Sequence, residues 1–590
     1  MVKKQKKLVS KNKSKRNTVG SGGLRAHKSF NYRRNIVIIL AVALVGGFFV
    51  YRSFAGTAVT TPSEFIARTH TEALGRLPTQ PEWNRWQSFY KSTACNEVSL
   101  SSLILDVYQS NEYNALPYTN DSKVFTIYRG VLSREPDPSG YAYWKGRANN
   151  GTSQKDIILS ILRSSEFKRL SGQICSNTNY PLKGQPFTLT KKTAGDDIQK
   201  RIDAAAAGSI VYLEKSELVT LTSALLVKRD VTLTTRGSEG TAGRKAYANM
   251  ARISAGDPNI SASPVVLMPG ATLKNVWVDG RMWDKQTKDG GKNNVRVYPT
   301  AKTSTVDNIR TENTTGAQNI MVFGIAGSEY TSRSGIGYQS DGYCSGKPVI
   351  SNNLVINSAN LHIPDKWSDG IASSCAQTTI NDNEVLDASD VGIIAYRAHG
   401  ALAQQSQIYN NKLLSAGNAV FGGIAADPLS LNSQELQTYP ACMERIAGRT
   451  PHCDFSGLSF RSNTLWSGYD THYVIGVSVG TRAWSFFKPD AAVGSGAQFI
   501  NNGNGSSMIK VIVPLYVSGM NNATISNNFN TGNVLNQTVT ATECKPSRLQ
   551  LYNPTYAKNL NTTNITSSDR TADSRYIMAV TTTNSRDKCI

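Results

Sequence analysis

The chain reads as mainly β: a parallel β-helix solenoid, preceded by a transmembrane helix and a small all-α domain. Three observations predict this. A strand-and-turn repeat recurs through the second half, an uncharged segment of 17 residues follows a basic tail, and a helical pattern between them occurs twice. The repeat is clearest in INDNEVLDASDVGI at 380–393 and IYNNKLLSAGNAVFGGI at 408–424, with looser copies at 351–360 and 458–477. Each copy ends a short strand in Asn and then runs through an apolar residue and a polar turn into a second strand. Asn353 and Asn383 are 30 residues apart, and Asn383 and Asn411 are 28 apart. A repeat of that length built from strands rather than helices buries its apolar face only by stacking on its neighbours, which makes a solenoid.

The N-terminal segments follow from charge and hydropathy. Of the net charge of +22, residues 1–34 contribute 12 Lys or Arg and no acid, leaving 52 basic and 42 acidic residues in the rest. Residues 35–51, NIVIILAVALVGGFFVY, carry no charge and span about 26 Å as a helix, the short end of what crosses a bilayer. Basic residues ahead of such a segment keep the N-terminus cytoplasmic and export the remainder. The expectation is a single-pass cell-membrane protein with a cytoplasmic tail at 1–34, a signal anchor at 35–51 and the membrane as a partner. Cleavage at Ser53-Phe54-Ala55, giving a secreted protein, is the alternative. No nucleic-acid motif is evident, so nucleic acid is not expected as a partner.

Eight cysteines lie beyond these segments, and none has CxxC spacing. An even set in an exported chain suits disulfides. Sequential pairing predicts Cys95–Cys175, Cys344–Cys375, Cys442–Cys453 and Cys544–Cys589.

Residues 63–170 read as a duplicated helical module. Leu74, Arg76, Pro78 and Trp86 recur as Leu132, Arg134, Pro136 and Trp144 at an offset of 58, and Ser110 and Glu112 recur as Ser164 and Glu166 at 54. Ile157, Ile158, Ile161 and Leu162 share one helical face. Pro-Asp-Pro-Ser-Gly at 136–140 is a turn opening the next helix, with Asp137 as its cap. Trp86 and Trp144 read as core, and Arg76 and Arg134 as structural. Tyr128, Leu132, Arg134, Pro136, Asp137, Gly140, Tyr143, Trp144, Gly146, Ser153, Ile157, Ser164, Glu166 and Phe167 resemble the domain of unknown function 4214 family. Residues 171–194 read as a linker.

The stretch 196–237 opens with an amphipathic helix bearing Ile198 and Ile202, followed by short strands around Ile210, Leu218, Leu225 and Val231. The helix would cap the open end of a solenoid. With the repeats, this opening resembles the pectate lyase superfamily of right-handed parallel β-helices. The β-helix is assigned to 195–535 and a C-terminal cap or tail to 536–590. Seven residues after the repeat asparagines stand Asn360, Asp390, Asn418 and Asp470, expected to stack as a polar row. The repeat asparagines themselves are expected to form an internal ladder.

The fold resemblance implies glycan chemistry on the outer face of one parallel sheet, but not the substrate. Lyases there abstract a proton beside a uronate carboxyl with Arg, Lys, His or Tyr, often with calcium on Asp or Glu. The densest supply of such groups follows the turns at 362–399. Asp369, Tyr396, Arg397 and His399 are the candidate catalytic residues: Arg397 or His399 as base, Tyr396 as proton donor and Asp369 as the calcium ligand. Asp365, Lys366, Trp367 and Asp427 are candidate ligand-binding residues, with Tyr469, His472, Arg482, Asp279 and Arg281 as neighbours by coil stacking. The strands show no Asp-Asp pair of a hydrolase. The leading functional expectation is a membrane-anchored surface β-helix that binds polysaccharide or another cell-surface ligand, as an adhesin or scaffold. A polysaccharide lyase or epimerase acting on an acidic glycan is the alternative.

Overall fold

Every long sheet among the described residues is parallel, and from Ile210 to Ser526 successive strands in the chain belong to different sheets. The computed structural model describes residues 61–177, 186–238, 244–256, 263–282, 293–298, 302–323, 346–358, 367–374, 377–396, 406–417, 420–428, 452–480, 493–503, 509–529, 534–536, 549–551 and 557–563. Three sheets of nine, eleven and eleven strands run the length of the solenoid, and a three-stranded sheet adds to them. Sheet 1 runs from Lys192–Ala194 to Thr464–Ser467, sheet 2 from Leu225–Val227 to Val534–Asn536, and sheet 3 from Ile210–Leu213 to Asn561–Thr563. A chain that visits three parallel sheets in rotation is a parallel β-helix, the architecture the repeat predicts. Residues 171–175 complete a helix and 192–194 form a strand of sheet 1, so part of the expected linker is regular structure. Strands at Leu549–Leu551 and Asn561–Thr563 carry sheets 2 and 3 past residue 535.

The turn from sheet 3 to sheet 1 explains the paired Asn of the repeat. Two residues make the corner. The first, Asn352, Asp382, Asn410, Ser462 or Asn501, has φ between 55° and 58°. Asn and Asp enter that left-handed region at least cost among residues with a side chain. The second is the buried ladder residue. Each Nδ2 donates to the next Oδ1: Asn353 to Asn383, Asn383 to Asn411 and Asn411 to Asn463 at 2.9 Å, Asn463 to Asn502 at 2.8 Å and Asn502 to Asn528 at 3.0 Å. From Asn383 on, each Oδ1 also accepts the backbone N–H of the Asn one coil before it, and each Nδ2 donates to a second acceptor, as Asn411 does to the Ile380 carbonyl at 3.0 Å. The ladder extends two coils beyond the repeat seen in the sequence, to Asn502 and Asn528. The expected second row does not form as a column. Asn360 and Asn418 lie outside the described residues, and Val391 registers through Gly422 with Ile475, which aligns Asp390 with Val474 rather than with Asp470. Unequal connections between sheets 1 and 2 shift the register.

One apolar interior runs through the coils, from Ile198 and Ile202 of the capping helix Gly195–Ala204 to Ile525. Phe460 and Phe499 stack within it, with ring centroids 4.7 Å apart.

The helical module consists of α1 (Pro62–Ala73), α2 (Gln80–Thr93), α3 (Glu97–Tyr108), α4 (Asn111–Ala115), α5 (Asn120–Leu132), α6 (Pro138–Asn149), α7 (Gln154–Leu162) and α8 (Ser165–Cys175). Its two copies repeat in detail. Arg76 grips Glu112 through Nε at 2.9 Å, and Arg134 grips Glu166 through Nη2 at 3.1 Å, each with a second parallel contact. Ser110 and Ser164 cap α4 and α8, and Asp137 caps α6 by accepting the Gly140 N–H at 2.7 Å. Cys95 and Cys175 form a disulfide that ties α8 to the loop before α3, with Cα atoms 5.3 Å apart. The other three expected pairs involve residues or side chains outside the described ones. Among the described residues no helix is long and apolar enough to cross a membrane, and the 35–51 segment lies outside them.

The module lies on the outer face of sheet 1, where Trp277, Leu354, Ile356, Leu386, Leu414 and Trp466 join its core. Trp83 Nε1 donates to the Ser467 carbonyl at 3.1 Å, and Thr61 Oγ1 to that of Ala416 at 2.8 Å. A buried ionic network crosses the same boundary. Arg129 of α5 reaches Glu72 of α1, Glu135 and Glu312, and Arg310 reaches Glu72, Glu312 and the Thr71 carbonyl. Arg252 reaches Glu135 and Asp279. The Trp277 ring sits among these three guanidinium groups, 4.0 Å from Arg252, 4.7 Å from Arg129 and 5.4 Å from Arg310. The segment 244–250 reaches over the module as well: Tyr247 donates its hydroxyl to Glu72, and Arg244 pairs with Glu384 at 2.9 Å.

Candidate functional site

With sheet 1 covered, sheet 2 is where the sequence candidates gather. Its strands Gln318–Phe323, Asp369–Ser374, Val391–Tyr396 and Val420–Asp427 lie side by side. Alternation sends Ile371, Ile393 and Ile424 into the solenoid core and gives the other face Met321, Ala372, Ile394 and Ala425, an apolar cluster with Val391 and Phe323. Acid–base groups are absent from that strip. Polar groups collect at its two ends.

At the strand starts, Asn293 Nδ2 donates to Gln318 Oε1 at 2.7 Å, and Gln318 Nε2 donates to Asp369 Oδ2 at 3.3 Å. Asp369 Oδ1 accepts the Val391 N–H at 3.2 Å, and the residue is only 8% exposed. Both carboxylate oxygens therefore hold neighbouring coils together.

At the strand ends, Ser374, Tyr396 and Asp427 are register partners in three adjacent strands. The six-residue strands put Asp369 and Tyr396 at opposite ends, roughly 16 Å apart along the strand direction at ~3.3 Å per residue. The structure thus separates Asp369 from the group it was expected to serve. Among the described residues no group of three or more His, Cys, Asp or Glu could hold a metal ion.

The remaining candidates divide three ways. Trp367 is half-buried and meets Phe421 edge-on at 6.1 Å, near the strand starts. Asp427 is buried beside Tyr396 in the register. Asp365, Lys366, Arg397, His399 and Arg482, together with the Tyr396 side chain, lie outside the described residues. The supposed neighbours serve other places. Asp279 belongs to the buried network through Arg252, and Arg281 donates to the Ala255 and Gly256 carbonyls. The Tyr469 N–H donates to Gln87 of α2, and His472 offers its carbonyl to the Val420 N–H. Asp470 accepts the Ser63 N–H, and burial pushes its carboxyl up.

Sequence reasoning missed the covered face of sheet 1. A signal was present: Arg310 and Glu312 in RTENT, and Glu384 in NEV, are charges inside strands of the solenoid. Arg310 and Glu312 pair with each other and also reach Glu72 and Arg129 of the module, and Glu384 pairs with Arg244 and Lys412 and accepts the Leu77 N–H.

The connections between sheets share this asymmetry. From sheet 3 to sheet 1 four successive coils use two residues: 352–353, 382–383, 410–411 and 462–463. From sheet 2 to sheet 3 the chain spends 324–348, then only 375–378, then 397–406, 428–458 and 480–497. Long excursions from a rigid scaffold are where binding residues concentrate.

Residues 101–171 match the family model described as a domain of unknown function (DUF4214). No curated protein matches the chain. Among solved structures, the polygalacturonase from Erwinia carotovora ssp. carotovora is 13% identical, with 66% of this chain and 96% of that chain covered and a TM-score of 0.34. The catalytic unit of the GH87 α-1,3-glucanase from Streptomyces thermodiastaticus strain HF3-3 is 12% identical, with 66% and 71% covered and a TM-score of 0.29. The Dettilon tailspike protein is 12% identical, with 62% and 66% covered and a TM-score of 0.29. The chain therefore joins a segment that matches the domain of unknown function family to a parallel β-helix.

Proposed function

We propose that this protein is an exported β-helix that engages a polysaccharide along the strand-end edge of sheet 2, around Tyr396 and Asp427. The observation that carries the reading is the asymmetry of the solenoid. The module occupies the outer face of sheet 1, the corner between sheets 3 and 1 is two residues long in four successive coils, and the three longest connections between the main sheets, 324–348, 428–458 and 480–497, leave from the strand ends of sheet 2. In the same reading the basic tail and the 35–51 segment anchor the chain in the membrane with its N-terminus inside. The Cys95–Cys175 disulfide suits an oxidising compartment outside the cytoplasm.

A lyase or epimerase activity is the second reading. It is favoured by the register that sets Tyr396 beside Asp427, with Arg397 and His399 next in the chain. Calcium on Asp369 forms no part of it, because that residue lies roughly 16 Å from Tyr396 along the strand direction, at ~3.3 Å per residue.

The test is calorimetric titration of the full chain with acidic polysaccharides, alongside the ultraviolet absorbance of unsaturated uronate products. Binding should weaken by about tenfold or more in Tyr396→Ala. Unchanged affinity in Tyr396→Ala and Asp427→Asn would overturn the edge as the site. Binding without absorbance selects the scaffold, and absorbance lost in Tyr396→Phe selects the enzyme.

A further inference from the structure

The two copies of the helical module serve as controls for each other. On the second helix of each copy, a Trp stands with one aromatic ring and one arginine, but the flanking positions are exchanged. Arg85, Trp86 and Phe89 on α2 correspond to Tyr143, Trp144 and Arg147 on α6, at the same offset of 58.

In the first copy these groups are engaged within the protein. Trp86 is buried, and Arg85 pairs with Asp106. The adjoining cleft of about 420 Å³ is lined by Arg85 together with Glu82, Asp106 and Glu112, and these carboxylates already hold Arg76 and Arg85.

In the second copy they stand free. Tyr143 is 55% exposed, and the other exposed large apolar side chains among the described residues are Val98 and Ile210, so it is the aromatic one. Its ring meets that of half-buried Trp144 edge-on at 4.8 Å. Arg147 lies 5.9 Å from the Tyr143 ring centre and donates to its hydroxyl at 3.3 Å. Other charges nearby are spent: Lys145 pairs with Asp121, and Arg134 with Glu166 and Asp137. Among the described residues Arg147 has no carboxylate partner. Ser160 takes the place that Asp106 holds in the first copy. Nothing stands within 4 Å of the position a Cβ would take on Gly146, so the surface beside Arg147 is open.

We propose that Tyr143, Trp144 and Arg147 form a binding site for a uronate-bearing glycan, with a pyranose ring stacked on the aromatic pair and its carboxylate on Arg147. The aromatic face supplies apolar contact area, and the guanidinium geometry fits a carboxylate. The site goes beyond the sheet 2 edge. Because the module is fixed to sheet 1, it gives the protein a second attachment point on one rigid body, which multiplies affinity for a polymer that reaches both.

The probe is an oligogalacturonate titrated calorimetrically into the full chain, with neutral cello-oligosaccharide and polyglutamate as comparisons. Tyr143→Ala and Arg147→Ala, both surface changes, should each weaken oligogalacturonate binding by about tenfold, while Arg85→Ala should not. The Arg147→Ala effect should shrink at high salt. Wild-type affinity in both variants, no oligogalacturonate binding by the wild type, or equal binding of polyglutamate would overturn the proposal. Loss in Tyr396→Ala alone would sink this site and spare the edge, and loss in Tyr143→Ala alone would do the reverse.

Discussion

Arg129 of the helical module donates to Glu312 of the β-helix at 2.8 Å, and neither side chain reaches solvent. The same guanidinium holds Glu72 and Glu135, so three carboxylates share this cation. Replacing it leaves four buried carboxylates, Glu72, Glu135, Glu312 and Asp279, to two arginines, Arg252 and Arg310, and uncompensated buried charge costs far more than a pair contributes. Arg129→Met is therefore expected to destabilise the folded body by about 3–5 kcal/mol. Chemical denaturation should show the module and the solenoid losing stability together, and an unchanged midpoint would contradict the network's role.

Acid should act on the same boundary. Burial alone would raise the Glu72 carboxyl, but Arg129 and then Arg310 outweigh it and hold it at about 2. A carboxyl depressed in the folded state contributes stability that is full above its unfolded value, near 4.5, and that disappears as pH falls toward about 2. Thermal melting should therefore lose midpoint steadily across that window, and the loss should be smaller in Glu72→Gln. Equal acid sensitivity in both proteins would refute the assignment.

Arg68 is the opposite case. It is buried in α1, its three guanidinium nitrogens make no hydrogen bond, and its contact with Glu64 is 3.4 Å long. Burial pulls the Arg68 guanidinium down and pushes the Glu64 carboxyl up. A poorly bonded buried pair can be replaced by apolar groups at no loss. The double variant Glu64→Gln, Arg68→Met should be at least as stable as the natural chain, and a fall of several kcal/mol in denaturant would show that the pair is needed.

The ladder should weaken most in its middle. Asn411 accepts from Asn383 and donates to Asn463 and the Ile380 carbonyl, whereas Asn528 closes the row. Asn411→Ala strands several buried groups and should cost about 3 kcal/mol or more. Asn528→Ala should cost less, and equal effects measured by denaturation would argue against a cooperative ladder.

The Cys95–Cys175 disulfide closes a loop with a sequence separation of 80. Chain entropy assigns such a closure about 4 kcal/mol. Cys95→Ser with Cys175→Ser should lower the melting midpoint, and because the bond ties α8 to the loop before α3, proteolysis should then begin in the module. First cleavage in the solenoid would count against this.

Much of the fold was legible because it rests on local chemistry repeated many times. The Asn pairs announce a left-handed corner and a ladder residue, and the offset of 58 pairs Arg76 with Arg134 because both make the same grip on a glutamate. The candidate site was legible only in part. Tyr396 and Asp427 fall together because their strands do, but Asp369, close to them in the chain, sits a full strand away. Proximity in sequence does not give the end of a strand on which a side chain lies.

By itself, the sequence determined that this chain coils into a parallel β-helix behind a duplicated helical module. Those features come from residue spacing, turn geometry and apolar alternation, which act over a few residues or one coil. Only the tertiary structure decided which sheet the module covers. Arg129 and Glu312 are 183 residues apart, and nothing in the local pattern of either announces the other. Buried charges take their partners from wherever packing brings them, and here that packing closes the outer face of sheet 1.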